Sequence, residues 1–76
     1  MSNKVRFIIA VSDDNGLPFM VLERFHTYDQ MVRDYPFVLK AHAKLKDSIK
    51  CYQRTIDVKG VITTWEVKIN DLERDN

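Results

Sequence analysis

Apolar and polar positions alternate from Lys4 to Val11, with Val5, Phe7, Ile9 and Val11 on one face and Arg6, Ile8 and Ala10 on the other. That period of two predicts a β-strand whose second face is only half polar. Ser12-Asp13-Asp14-Asn15-Gly16 follows, and its Asn-Gly pair supplies the positive φ of a tight hairpin turn. A second strand is expected from about Phe19 to Phe25, with Pro18 at its entrance, where a missing N–H is tolerated.

Thr27-Tyr28-Asp29-Gln30 has the form of a capping box: the Thr27 hydroxyl accepts an orphan N–H and Gln30 reaches back three residues. From Tyr28 the spacing changes to alternating steps of three and four through Met31, Tyr35, Val38, His42 and Leu45. Val32 and Leu39 widen the stripe to the breadth that covers a sheet. Pro36 interrupts it without shifting its phase, which predicts a kink or break around Asp34 to Pro36, and so a short helix followed by a longer one ending near Asp47.

Ile49 to Ile56 and Val61 to Ile69 read as the third and fourth strands, rich in β-branched residues and joined by Asp57-Val58-Lys59-Gly60. On the fourth, Val61, Thr63, Trp65, Val67 and Ile69 share the face expected under the helix, so Trp65 is predicted to be buried. The tail from about Asp71 to Asn76 is polar and expected to fray, apart from Leu72. The predicted fold is α+β, a two-layer β-β-α-β-β arrangement with one kinked helix on a four-stranded, mostly antiparallel sheet. Residues 1–76 form one domain, and the pattern leaves the strand order open.

Composition supports folding and narrows the chemistry. The chain has 76 residues, 45% of them apolar and 30% charged, which is globular composition on the scale of a single core. Twelve Lys and Arg against eleven Asp and Glu leave a net charge of +1, far from the strong basicity common in nucleic-acid-binding domains. Cys51 is the only cysteine, which excludes an intrachain disulfide and a thiolate metal cluster and favours a cytoplasmic setting. The longest apolar run, Phe7 to Val11, is short against the roughly 20 residues of a membrane span, so no membrane partner is expected.

Catalytic constellations are missing. Cys51 has His26 and His42 as its only imidazole bases, and its place in the alternating run Ile49, Cys51, Gln53 marks it as a small core residue. The two histidines lack a further ligand at helical or hairpin spacing, and His42 falls on the apolar stripe as a core-edge residue. Asp13-Asp14-Asn15-Gly16 resembles the start of a calcium loop but lacks the closing Glu, and two glycines cannot build a phosphate cradle. No catalytic residue, metal site or cofactor is assigned, and the chain is read as a non-enzyme.

Two surfaces remain for a partner. Between Lys40 and Lys59 six basic residues face only Asp47 and Asp57. Lys40, Lys44, Lys50, Tyr52 and Arg54 are therefore the candidate partner-binding residues, suited to an acidic protein and, as the alternative, to RNA or single-stranded DNA. The competing explanation is plain solvation: lysines complement a helix C-terminus and line a wet sheet face. The second surface is the outer sheet face, expected to carry Ile8, Ala10, Met20, Leu22, Tyr52, Ile56 and Ile62 if Phe7, Val21, Cys51 and Trp65 face the helix. So apolar a face would bind a partner or a second copy of the chain, and exposed strand edges offer another route to a homo-oligomer. The opposite register of the second strand stays open, because its two faces are nearly equally apolar.

The opening strand Lys4-Val5-Arg6-Phe7, the hairpin, the single helix and the cysteine-bearing strand that ends Asp57-Val58-Lys59-Gly60 resemble the build of the Dmd-like antitoxins of T-even phages. More generally they are similar to short phage proteins that inhibit host defence or host machinery. The likeness covers about the first sixty residues, and the fourth strand with Trp65 departs from it. It implies stoichiometric binding to a host toxin or nuclease without catalysis, and it assigns no individual binding residue.

Overall fold

The computed structural model describes residues 4–69. Its elements are β1 (Lys4–Ser12), β2 (Pro18–Phe25), α1 (Tyr28–Ala41), a 3₁₀ helix (Ala43–Ser48), β3 (Ile49–Ile56) and β4 (Ile62–Val67). The strands form one antiparallel sheet in the order β2-β1-β3-β4, with α1 packed on one face, which is the α+β architecture expected. The hairpins meet through β1 and β3, from Lys4 opposite Ile56 to Val11 opposite Ile49. β2 and β3 thus run parallel with β1 between them, and α1 is the crossover that joins them over β1 and β2. The polar tail expected from about residue 71 lies outside the described residues.

The helix begins as its cap requires. Thr27 Oγ1 accepts the Gln30 N–H at 3.1 Å, while Gln30 Oε1 accepts the His26 N–H at 3.3 Å, so the brace closes one residue upstream of the usual box. Contrary to expectation α1 runs unbroken through Pro36, and the long helix precedes the short one. A proline removes one helical N–H, and Met31 and Val38, both buried, pin the helix on either side of that loss. The break falls instead at His42, whose N–H closes on the Val38 carbonyl at 3.0 Å. His42, assigned to the apolar stripe, is exposed because the helix ends just before it.

Ile9, Val11, Phe25, Met31, Val38, Ile49, Cys51 and Ile69 form the core between sheet and helix, with Phe7 set edge-on to Tyr28 at 6.0 Å. Each fully buried side chain of this size contributes about 1.5–3 kcal/mol. Trp65 does not join them and is 45% exposed. It shares the helix-side face, opposite Gln53, but β4 is the far edge of the sheet and the β2-to-β3 crossover does not reach over it. On β4, Val67 packs against the core, followed beyond the strand by Ile69, while Ile62 and the preceding Val61 stay exposed.

Strand β2 also departs from expectation. Its pairing with β1 slips between Ile9 and Ala10 and again between Val11 and Ser12. A bulge turns the following residues to the opposite face. Val21 therefore packs with Ile8 and Ala10 on the outer face, whereas Leu22 packs against the helix-side core and Met20 pairs with Val11 on that side.

Both hairpins are closed by one and the same loop. Asp13 donates its N–H to the Leu17 carbonyl at 2.8 Å, Gly16 donates to the Asp13 carbonyl at 3.0 Å, and Asp13 Oδ1 accepts the N–H of Asn15 and Leu17 at 2.9 Å each. Asp57, Lys59, Gly60 and Val61 repeat every one of these bonds, at 2.8 to 3.1 Å. The positive φ sits on the fourth residue alone, +83° at Gly16 and +86° at Gly60, so the Asn15-Gly16 pair is not the two-residue turn the sequence predicts.

Candidate functional site: the outer face of the sheet

With the helix on the Ile9, Cys51 and Val67 face, the other face presents alternate residues of every strand. Its centre is apolar: Ile8, Ala10 and Tyr52 are each about 1% exposed or less, and Val21 packs beside them. The Tyr52 hydroxyl donates to the Gly16 carbonyl at 2.8 Å and ties the first hairpin loop to β3. Burial, then the charges of Glu66 and Asp13, push the Tyr52 phenol above its ordinary pKa.

Around that centre the face is basic. The pairings put Lys4 opposite Ile56, Arg6 opposite Arg54, Arg24 opposite Ile8, and Lys50 opposite Ala10. Glu66, opposite Tyr52, is the one acid that the strand pairings place on this face, and lysines engage it on both sides, Lys50 Nζ at 3.8 Å and Lys68 Nζ at 3.1 Å. Arg6 and Arg54 consequently face each other with no carboxylate bonded to either among the described residues. Like charges directly opposite on a sheet are unfavourable. In addition, Arg54 Nε is buried without a hydrogen-bond partner, a condition that costs about 1–3 kcal/mol.

The candidate residues named from the sequence divide between two places. Lys50, Tyr52 and Arg54 lie together on the outer face of β3. Lys40 and Lys44 do not join them: they line a shallow recess where α1 meets the 3₁₀ helix, with Ala41, His42, Ala43 and Leu45. Tyr52 is core and offers no ring surface to a partner. The apolar outer patch is corrected in the same way, since Met20 and Leu22 turn to the helix side and Ile8, Ala10 and Tyr52 are covered. Lys4, Arg6, Arg24 and Lys68 share the outer face without standing in the basic run from Lys40 to Lys59. The parity of Arg6 with Ile8 and Ala10 was legible, but only the β1–β3 pairing puts it opposite Arg54.

Cys51 lies on the helix side, 3% exposed, and burial, then the charge of Glu66, hold its thiol up at about 12. It stays a neutral core residue at ordinary pH. Among the described residues no group of three or more His, Cys, Asp or Glu could hold a metal ion, and no helix is long and apolar enough to cross a membrane. Comparison with protein-family models, curated proteins and solved structures finds no match.

Proposed function

We propose that the protein is a non-enzymatic, cytoplasmic binding module: a small inhibitor or antitoxin that occludes an acidic surface of a host protein such as a toxin or nuclease. The observation that carries the reading is the outer sheet face, where, among the described residues, Lys4, Arg6, Arg24, Lys50, Arg54 and Lys68 meet only Glu66. A sheet face bearing long cations suits an acidic protein surface, and such charge mainly speeds encounter and sets orientation. The resemblance to Dmd-like antitoxins points the same way. Single-stranded nucleic acid would use the same charge but also needs aromatic platforms; here Tyr52 is buried, Trp65 lies on the other face, and the exposed ring of Phe19 stands on edge strand β2 near Ser12, at the far end of β1 from Lys4 and Arg6.

Affinity capture with the tagged protein from its host, followed by binding of the purified captured protein, tests this. Lys4→Gln with Lys50→Gln should weaken that binding at least tenfold, chiefly through slower association, at a nearly unchanged melting temperature. Lys40→Glu with Lys44→Glu should leave it within a factor of two. Equal effects of the two pairs would refute the outer-face assignment. Capture of RNA or single-stranded DNA, with log affinity falling steeply and linearly in log salt, would install the nucleic-acid reading in its place.

A further inference from the structure

We propose that Arg6 and Arg54 form a clamp for a single oxyanion, a carboxylate or a phosphate group, at the β1–β3 seam of the outer face. The two residues are direct cross-strand partners, which brings their side-chain roots to roughly 5 Å on one face. Thr64, the partner of Arg54 on β4, extends the same row with a hydroxyl. Lys4 stands two positions along β1 on the same face and adds a further cation.

Three observations separate this row from an ordinary solvated surface. The one acid placed on the face is already engaged by Lys50 and Lys68, so the arginine pair has no internal counter-charge among the described residues. Arg6 spends one Nη on the neighbouring Val5 carbonyl at 3.2 Å, a local bond that leaves its charge unpaired. Arg54 makes no hydrogen bond at all through Nε, although that atom is buried. A guanidinium grips an oxyanion side-on through Nε–H and one Nη–H in parallel; Nε is covered in the free protein, so an anion completes that fork once the Arg54 side chain shifts to uncover it. One such anion would fill the open donor and separate two like charges in the same event. Lysine supplies the charge but not the fork.

This rests on the reading of the outer face as the docking surface, and the test keeps the two apart because it needs no protein partner. The Nε–Hε signals of the arginines are followed by NMR while sodium phosphate, or a short glutamate-containing peptide, replaces sodium chloride at constant ionic strength. The Arg54 and Arg6 signals should move together and saturate, and the other arginine signals should stay still. Arg54→Lys, with an otherwise native amide spectrum, should weaken the anion about tenfold, whereas Lys4→Gln should weaken it two- to threefold. If Arg54→Lys perturbs the fold, Arg6→Lys serves as the second variant, with the same expected loss. Phosphate saturating while the peptide does not would assign the clamp to phosphate groups, and the reverse to carboxylates. Shifts that never saturate, or an Arg54→Lys protein that binds as wild type does, would overturn the clamp. Saturable anion binding in a protein that captures no acidic partner would overturn the docking reading and leave the clamp standing.

Discussion

The twin hairpin loops give the sharpest test of how the fold is held. In each, one aspartate oxygen accepts two backbone N–H groups, at 2.9 Å each for Asp13 and at 2.8 and 2.9 Å for Asp57. Replacing the aspartate by alanine removes both bonds and returns those donors to water. A net of about 0.5–1.5 kcal/mol per bond, set toward its lower half by exposure, gives about 1–2 kcal/mol per loop. The loops sit at opposite ends of the β1–β3 ladder, beyond Val11 opposite Ile49 and beyond Lys4 opposite Ile56. At about 3.3 Å per residue the ladder between them is roughly 23 Å long, so they lie well outside the range of about 7–10 Å over which substitutions couple. Asp13→Ala and Asp57→Ala should therefore add, to about 2–4 kcal/mol of the roughly 4–11 kcal/mol expected for a domain of this size. Urea unfolding at a common m-value reads each loss directly, and each kcal/mol should lower the melting temperature by about 4–8 °C. Asparagine keeps the acceptor oxygen, so Asp→Asn should cost less than half as much as Asp→Ala at either site. A single alanine variant indistinguishable from wild type, or a double variant no worse than the weaker single, would refute this account of the loops.

Thr27→Ala should lose about 0.5–2 kcal/mol and quicken amide exchange at Gln30, the residue whose N–H the hydroxyl holds at 3.1 Å. Tyr52→Phe should cost about 0.5–1.5 kcal/mol in urea unfolding by releasing the Gly16 carbonyl, and equal stability would mean that the bond contributes nothing in solution. Cys51 gives a pH signature. Its pKa rises from 9.0 to about 12 on folding, so above pH 9 the folded chain keeps a proton that the unfolded chain has lost. Stability from this group is complete below pH 9 and falls as pH rises toward 12, and Cys51→Ala should flatten the slope between pH 9 and 11.

Most of the fold was legible because the signals were local. The alternation of β1 and β3, the Thr27 hydroxyl cap and the stripe from Tyr28 to Leu39 depend on neighbours a few residues away and appear as read, while the Gln30 half of the box closes on His26 instead of Thr27. The misreadings have long-range causes. Pro36 marks a lost hydrogen bond, but whether a helix breaks there depends on what pins it, and Met31 and Val38 do. Trp65 has the parity of a core residue, yet its exposure follows from the strand order, which the pattern does not encode. Val21 and Leu22 exchange faces because of a bulge in a strand whose two faces are equally apolar, so alternation alone could not fix its register. The candidate residues are divided for the same reason: basic residues adjacent in sequence do not share one surface, because strand pairing is what brings Arg6 and Arg24 to the face of Lys50 and Arg54.

The outer face also has to be explained against simple solvation. A sheet covered by one helix must keep its other face wet, and long basic side chains do that while their stems shield apolar neighbours such as Ile8 and Tyr52. Solvation, however, is indifferent to sign: a face with Glu and Lys interspersed is as soluble and avoids self-repulsion. This face is nearly all one sign, although the whole chain is close to neutral at +1. Among the described residues other acids lie elsewhere, in the turns with Asp13, Asp14 and Asp57 and in the helix with Asp29 and Asp34. The described domain is therefore polarised, and the arrangement sets two arginines against each other and leaves a donor buried and unfilled. A solvating surface gains nothing from either, whereas a surface that receives an anion recovers both on binding.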